Sequence, residues 1–374
     1  MLCYLLDLMG VARSASLTIV FRWLHTEVSN SRWSIEAARQ WSEQVGWRVG
    51  CNFSPSTAGN QLEMWQAETF DISTIERELT WAAEIGMNTV RIYLHDLLFA
   101  EEPRYFLGRI EKVFSVAASK GIGVIPVLFD GVWNPKPQLG KQSEPKPFLH
   151  NSMWVQSPGS DIFYDRSRWS ELRDYVFELL SFFKDDKRVI AWDLFNEPDQ
   201  VDVVTLKLGS RDEKIATATE LVSTVFHWAR EVGVAQPLTV GVWEYEKDGQ
   251  VTSNSLNQLI VDQSDIISFH CYEPREKLMA VIDALKTHGR PLLCSEWLAR
   301  SAGSTVDLLS VFKEAGVGAI NWGLVDGRTQ TRFPWRSWTT QVNNDEPWFH
   351  ELLHPDGTAY DAQEIEIFRR LSAN

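Results

Sequence analysis

Short apolar runs alternate with helical segments along most of the chain, and this alternation limits the possible folds more than any other feature. Eight runs read as buried strands, each followed by a segment with helical spacing. The strand candidates are 47–53, 88–94, 122–129, 189–194, 237–242, 266–270, 291–294 and 318–322. Eight β/α units in 374 residues are typical of a (β/α)8 TIM barrel.

The helical segments complete this prediction. They are 34–45, 69–85, 103–119, 167–183, 212–231, 255–261, 276–287, 305–315 and 362–371. An open, doubly wound sheet is the alternative α/β fold, but no glycine-rich phosphate-binding turn follows the first strand. We therefore predict an N-terminal extension over 1–33 and a single catalytic barrel domain with long βα loops over 34–374.

Residues 1–33 leave three possibilities open. The first nine residues are apolar but contain Asp7 and lack a basic region, and Arg13 lies among small residues that could form a cleavage site. A degenerate signal peptide, an upstream extension and a native helix all fit. A signal peptide would place the protein in the periplasm or outside the cell, and otherwise it would be cytoplasmic. No apolar stretch is long enough to span a membrane.

Charge and aromatic content indicate the kind of ligand. The chain has 36 Lys and Arg against 50 Asp and Glu, a net charge of −14, which opposes binding to nucleic acid or to anionic membranes. A neutral or cationic small ligand fits better. The 17 tryptophans exceed the usual need of a core, and aromatic faces provide stacking surfaces for sugar rings.

Three connections are long for α/β loops: 54–71, 130–165 and 323–360. All three follow strands, so they belong to the C-terminal rim, where barrel enzymes build their sites. Together they carry Trp65, Trp133, Trp154, Trp335, Trp338 and Trp348. We expect a bounded, aromatic-lined pocket rather than a long open cleft.

Two strands deliver a glutamate to this rim. The run that begins at Val189 ends in Asn196-Glu197, and the run that begins at Pro291 ends in Glu296. Either glutamate alone could be a solvated strand end or an ion-pair partner. Two carboxylates on converging strand ends suit acid/base and nucleophilic chemistry on a glycosidic bond.

Motifs at five strand ends carry a resemblance to a known family. They are Asn196-Glu197-Pro198 on strand four, His270-Cys271-Tyr272 on strand six, Ser295-Glu296-Trp297 on strand seven, Trp322 on strand eight and Arg91 on strand two. From about Gly50 to its end, the chain resembles (β/α)8 glycoside hydrolases whose catalytic glutamates end strands four and seven. It is most similar to family 5, the cellulase and mannanase type.

The resemblance implies a role for each of these residues. Glu197 would be the acid/base and Glu296 the nucleophile. Asn196 would bind the 2-hydroxyl of the sugar, and Arg91 would hold the environment of the nucleophile. His270 and Tyr272 would position the two carboxylates. Trp322 would form the floor under the sugar. A retaining mechanism requires one protonated and one ionised carboxyl about 5–5.5 Å apart.

One departure from the family pattern concerns strand three. The family commonly places a histidine after this strand, whereas here Phe129 is followed by Asp130. His95 or His150 could approach the same region, although a histidine at a strand end often serves as a cap. We predict further substrate contacts at Trp133, Glu63, Trp65 and His95.

The function predicted from the sequence is a retaining β-glycosidase acting without a cofactor on a β-linked oligosaccharide or polysaccharide. A non-catalytic carbohydrate-binding barrel is the alternative, and the presence of both glutamates counts against it. Metal-assisted hydrolysis is disfavoured because no strand end clusters His and Asp ligands. His350 and His354 lie near Asp356 but lack further ligands, so we predict no metal site.

Overall fold

The computed structural model describes residues 31–201 and 210–373, in which eight parallel strands form a barrel. The strands are β1 Val49–Asn52, β2 Thr89–Tyr93, β3 Gly123–Asp130, β4 Trp192–Asn196, β5 Leu238–Thr239, β6 Ile267–His270, β7 Leu292–Glu296 and β8 Gly318–Trp322. They are ordered β5-β4-β3-β2-β1-β8-β7-β6. A parallel bridge from Val242, after β5, to Phe269 of β6 closes the ring. The predicted TIM barrel is confirmed.

Helices surround this barrel. They are α1 Ile35–Val45, α2 Gln61–Trp65, α3 Ile72–Ile85, α4 Asp96–Glu101, α5 Pro103–Ser119, α6 Ser160–Phe163, α7 Trp169–Phe182, α8 Arg211–Val232, α9 Ser255–Gln263, α10 Arg275–Lys286, α11 Leu309–Ala315 and α12 Ala362–Ser372. Within the described part of the chain, none is both long and apolar enough to cross a membrane. Most of the predicted extension 1–33 lies outside the described residues, so the domain division at residue 34 stays a prediction.

The two strands that carry the glutamates extend further than their apolar runs indicate. The apolar runs predict that β4 ends at residue 194 and β7 at residue 294, whereas the strands end at Asn196 and Glu296. They are longer because the polar residues at the rim still pair with neighbouring strands. Asn196 is in register with Asp130, and Glu296 with His270. The polar residues at the rim are therefore part of the sheet and are held in place by its hydrogen bonds.

The long loops contain short helices that the sequence pattern did not predict. α2 lies in the loop after β1, and α6 lies in the loop after β3. All five residues of α2 are buried, and Asn60 caps it by accepting from the N–H of Glu63. A five-residue helix has too few turns to show a periodicity of 3.6 residues, so only its packing reveals it.

The hydrophobic core of the described residues has three parts, the smallest of which includes Tyr93 and Trp154. A large cluster fills the space between the strands and the surrounding helices. A smaller one covers the N-terminal end of the barrel, where Ala38 of α1 packs with Ile125, Ile190, Leu293 and Ile320. Helix α1 therefore closes the end of the barrel opposite to the strand C-termini.

A buried ion pair joins several elements at the closed end. Arg230 of α8 donates two hydrogen bonds of 2.7 Å to Asp265, which precedes β6. The same carboxylate accepts from the backbone N–H groups of Trp33 and Leu238, each at 2.8 Å. Asp265 is fully buried, so four donors depend on one side chain.

We expect Asp265→Ala to lower the free energy of unfolding by about 3–5 kcal/mol, because it leaves the Arg230 guanidinium buried without its counter-charge. Urea denaturation at neutral pH measures the change. The matched control is Glu171→Ala, which removes an exposed partner of Arg168 and should leave the midpoint nearly unchanged. Equal midpoints for the two variants would contradict this account.

Candidate active site

The site is built on the carboxyl ends of β4 and β7. Glu197 follows the last residue of β4, and Glu296 is the last residue of β7. Together with His270, each offers one ligand atom, and these three atoms lie within 4.8 Å of one another. The barrel thus brings together two glutamates that are 99 positions apart in the chain.

The backbone at Glu197 is unusual. Its φ is 39°, in the left-handed region that a residue with a side chain rarely adopts. A neighbouring glycine accommodates this turn, since a Cβ on Gly131 would lie 2.3 Å from the carbonyl oxygen of Glu197. Left-handed residues of this kind cluster at functional sites, where the surrounding structure holds them in place.

Glu197 lies in a mostly desolvated position. Its Oε1 shares a 2.7 Å hydrogen bond with Nδ1 of His270, and its Oε2 accepts a longer one, 3.3 Å, from the amide of Gln200. Burial raises the pKa of Glu197 above its usual value, and the His270 imidazole offsets only part of that rise. This environment favours a protonated carboxyl.

Glu296 has a contrasting set of partners. Oε1 accepts from Arg91 and from the Tyr93 hydroxyl, both at 2.8 Å, and Oε2 accepts from the Tyr272 hydroxyl at 2.7 Å. Burial alone would raise the pKa of Glu296. The charges of His270 and Arg91, with the two phenol hydrogen bonds, outweigh it and lower the pKa below its usual value. This environment favours an ionised carboxylate.

Arg91 links the acidic groups at the centre of the mouth. It is fully buried and reaches Asp193 at 2.8 Å, Glu296 at 2.8 Å and the side-chain oxygen of Asn196 at 2.8 Å. Its Nη1 also donates to Asn52. One guanidinium therefore forms ion pairs with two buried carboxyl groups and orients an amide beside the site.

Asp130 stands at the end of β3, the strand after which a histidine was expected. It is 1% exposed, and its oxygens accept from the amide of Asn196 at 3.0 Å, the indole of Trp154 at 2.6 Å and the amide of Gln61 at 3.0 Å. Burial raises the pKa of Asp130 to about 7. From the sequence, Asp130 marked the departure from the family pattern but was not predicted to be a site residue, although its position at a strand end was a signal.

Above these groups lies a cavity of about 490 Å³, a size usual for small-ligand sites. Of the residues named from the sequence, those that line it are Asn196, Glu197, His270, Tyr272, Glu296, Trp322, Trp133, His150, Trp335 and Trp338. Trp243 and Tyr245, which follow β5, also line the cavity and were not predicted from the sequence. Trp243 directly follows the predicted strand 237–242, and this position at a strand end was the signal that could have identified it.

Three predicted substrate contacts do not line the cavity. Trp65 is fully buried, and its indole donates to the carbonyl of Tyr93. His95 is also fully buried and caps α4 by accepting from the N–H of Leu97. Glu63 forms an ion pair with Arg328. Glu63 and Trp65 belong to the buried helix α2, and His95 caps α4, so the structure places all three in local packing contacts rather than in the cavity wall.

Among the described residues, Glu197, His270 and Glu296 are also the side chains whose arrangement could hold a metal ion. The histidines considered from sequence, His350 and His354, do not belong to this group, although His350 lines the cavity. Nδ1 of His350 bonds to the carbonyl of Leu298, and burial lowers the pKa of His350. His354 packs against Trp348.

A TIM barrel with two glutamates, one at the end of β4 and one at the end of β7, has the architecture of a glycoside hydrolase. The family profile described as "Cellulase (glycosyl hydrolase family 5)" matches residues 50–327. The chain therefore belongs to glycosyl hydrolase family 5 and is a glycosidase. This confirms the resemblance noted from sequence.

Several solved structures share the fold. A GH5_18 protein from Streptomyces cattleya in complex with GlcNAc has 15% identity and a TM-score of 0.58, over 87% of this chain and 80% of that one. An exo-beta-1,4-mannosidase, Op5Man5 from Opitutaceae bacterium strain TAV5, has 18% identity and a TM-score of 0.59, over 88% of this chain and 59% of that one. A beta-1,4-D-mannanase from Cryptopygus antarcticus has 13% identity and a TM-score of 0.53, over 88% and 90%. A search of curated proteins returns no match.

We expect Arg91→Met to destabilise the fold by about 3–5 kcal/mol at neutral pH, because Asp193 and Glu296 remain buried without a counter-charge. Without Arg91 the pKa values of both carboxyls rise, so the variant gains stability relative to the parent as pH falls and the carboxyls take up protons. Denaturation midpoints of both proteins between pH 7 and 5 measure this. A difference in stability that widens toward pH 5 would contradict the assignment.

Proposed function

We propose that the protein is a retaining β-glycosidase in which Glu197 is the acid/base and Glu296 the nucleophile. The observation that carries the proposal is the close approach of two carboxyls in opposed environments, with an oxygen of each within 4.8 Å. Retaining enzymes place the two groups about 5–5.5 Å apart, whereas inverting enzymes need about 6.5–9.5 Å to admit a water.

In the first step, the Glu296 carboxylate attacks the anomeric carbon as the bond to the leaving oxygen breaks. Glu197 gives its proton to that oxygen, and a glycosyl ester forms on Glu296. In the second step, Glu197, now a carboxylate, takes a proton from water as the water attacks the same carbon. Glu296 leaves as a carboxylate, and the sugar keeps its original anomeric configuration.

The neighbouring side chains position the sugar and the two carboxyls. The Asn196 amide oxygen is held by Arg91 and one of its N–H groups by Asp130. Its second N–H has no partner among the described residues and is available to the 2-hydroxyl of the sugar. Tyr272 and His270 hold the two carboxyls, and Trp322 provides an aromatic surface within the cavity.

The substrate that this cavity fits is a neutral β-linked oligosaccharide or polysaccharide. Aromatic side chains dominate its wall, and carboxylates dominate its charged groups, which disfavours an anionic ligand. Solved structures with this fold include proteins described as beta-1,4-mannosidase and beta-1,4-mannanase, so mannosides belong among the substrates tested.

Covalent trapping tests the nucleophile. The protein is incubated with activated 2-deoxy-2-fluoro β-glycosides of glucose, mannose, xylose and galactose, and any adduct is located by peptide mass. We expect a glycosyl ester on the peptide that contains Glu296, because the fluorine slows hydrolysis of this ester and lets it accumulate. An adduct on Glu197 would reverse the roles. No adduct with any donor, together with undiminished sugar binding by Glu296→Ala, would favour a non-catalytic binding barrel.

The pH dependence of hydrolysis tests the acid/base. Activity of the parent should fall at low pH as Glu296 is protonated, and at high pH as Glu197, with its raised pKa, loses its proton. In Glu197→Gln, the basic limb of the pH profile should be absent. The rate on substrates with a poor leaving group should fall by about 10²–10⁴-fold.

The control for this experiment is Gln200→Ala, which removes a neighbour that donates to Glu197 but no titrating group. It should keep both limbs of the profile. A Glu197→Gln protein that retains the basic limb of the parent would show that another group supplies the proton.

A further inference from the structure

The positions of the two glutamates divide the mouth of the barrel into two arcs. Going round the ring, β5 and β6 lie on one side between β4 and β7, and β8, β1, β2 and β3 lie on the other. The Asn196 amide is held by Arg91 of β2 and Asp130 of β3, and Trp322 ends β8. The sugar under attack therefore lies toward the second arc, here called the glycon arc, and the leaving group lies toward β5 and β6.

The loops of the glycon arc are joined to one another. The N–H of Asn151, after β3, donates to the carbonyl of Thr329, after β8, at 2.9 Å. His150 donates its N–H to the Ser337 hydroxyl, and its carbonyl accepts from the indole of Trp338 at 2.8 Å. These bonds close the rim between β3 and β8 above the site.

An ion-pair cluster adds the loop after β1 to this closure. Arg328, after β8, reaches Glu63 of α2 at 2.9 Å and Glu144, in the loop after β3, at 2.9 Å. Its backbone N–H also donates to the carbonyl of Ser56. Three loops of the glycon arc are thus tied through one residue.

The face of this closure that lines the cavity is aromatic. Trp133, after β3, stacks on Trp338, after β8, with ring centroids 4.9 Å apart and planes 14° from parallel. Both line the cavity. We call this stacked pair the end wall.

The leaving-group arc is built differently. Its lining includes Trp243 and Tyr245 after β5, and Glu273 after β6. Only four residues, 271–274, separate β6 from α10. The connection after β5 is longer, 240–254, so the short part of this rim lies at β6. A leaving group directed toward β6 meets this short loop, whereas a glycon extended by a second sugar meets the end wall.

We propose that the enzyme acts on chain ends, removing one sugar at a time from the non-reducing end because the end wall stops the glycon after one ring. This inference rests on the proposed function and specifies its substrate as the terminal sugar of a β-linked chain. The excluded sugar would attach at the ring position farthest from the anomeric carbon, which for a 1,4-linked chain is the 4-hydroxyl.

The test uses 4-nitrophenyl β-glycosides of single sugars, glucose, mannose, xylose and galactose, and of β-1,4-linked cellobiose, mannobiose and xylobiose. For the preferred sugar, we expect direct release of nitrophenol from the single-sugar glycoside. The disaccharide glycoside should release a monosaccharide first, and a 4-O-methyl group on its terminal ring should slow all cleavage by at least about tenfold. Release of intact disaccharide as the first product would overturn the proposal.

Two variants test whether the end wall excludes the second sugar. Trp338→Ala removes half of the end wall and should raise the ratio of intact disaccharide to monosaccharide released from the disaccharide glycoside. Trp243→Ala, a tryptophan on the leaving-group arc, should leave that ratio unchanged. Because the readout is a product ratio, partial loss of folded protein does not affect it. A ratio unchanged in Trp338→Ala would overturn the assignment of the end wall.

The outcomes also separate this proposal from the one on which it rests. If no aryl glycoside is cleaved and no adduct forms, the proposed mechanism fails and chain-end action fails with it. If Glu296 is labelled but intact disaccharide is released first, the mechanism stands and only chain-end action is wrong.

Discussion

The buried guanidinium of Arg91 is the interaction on which the rest of the site depends. An unpaired carboxylate at the position of Glu296 or Asp193 would be costly to bury, and Arg91 contacts both. It can do so because β2 lies on the side of the barrel between β1 and β3 and directs its side chain across the mouth. The charged site is therefore also a structural element of the barrel.

The asymmetry between the two glutamates follows from which of them Arg91 reaches. Glu296 accepts from a guanidinium and two phenols, whereas Glu197 shares a hydrogen bond with His270 and accepts one from Gln200. Burial raises the pKa of both glutamates, and they differ in the charges and hydrogen bonds that lower it. Two identical side chains thereby acquire opposite pKa shifts, which is the condition that acid/base and nucleophilic roles require at one pH.

Asp130 shows how a departure from the family pattern is accommodated. It replaces the expected histidine after β3 with a buried acceptor that takes hydrogen bonds from Asn196, Trp154 and Gln61. Trp154 in turn packs edge-on against Tyr93, which contacts Glu296. Asp130 thereby connects the loops after β1 and β3 to the Asn196 amide beside the glutamates.

The sequence by itself determined the barrel and its catalytic candidates, because apolar runs of strand length and their polar ends are local features that repeat eight times. It predicted both glutamates, Asn196 and Trp322 in positions that line the cavity. Only the tertiary structure decided that Trp65 and His95 turn inward, and that the loops after β1, β3 and β8 join through Arg328. The contacts of Arg328 link residues more than 180 positions apart in the chain, and no local periodicity encodes them.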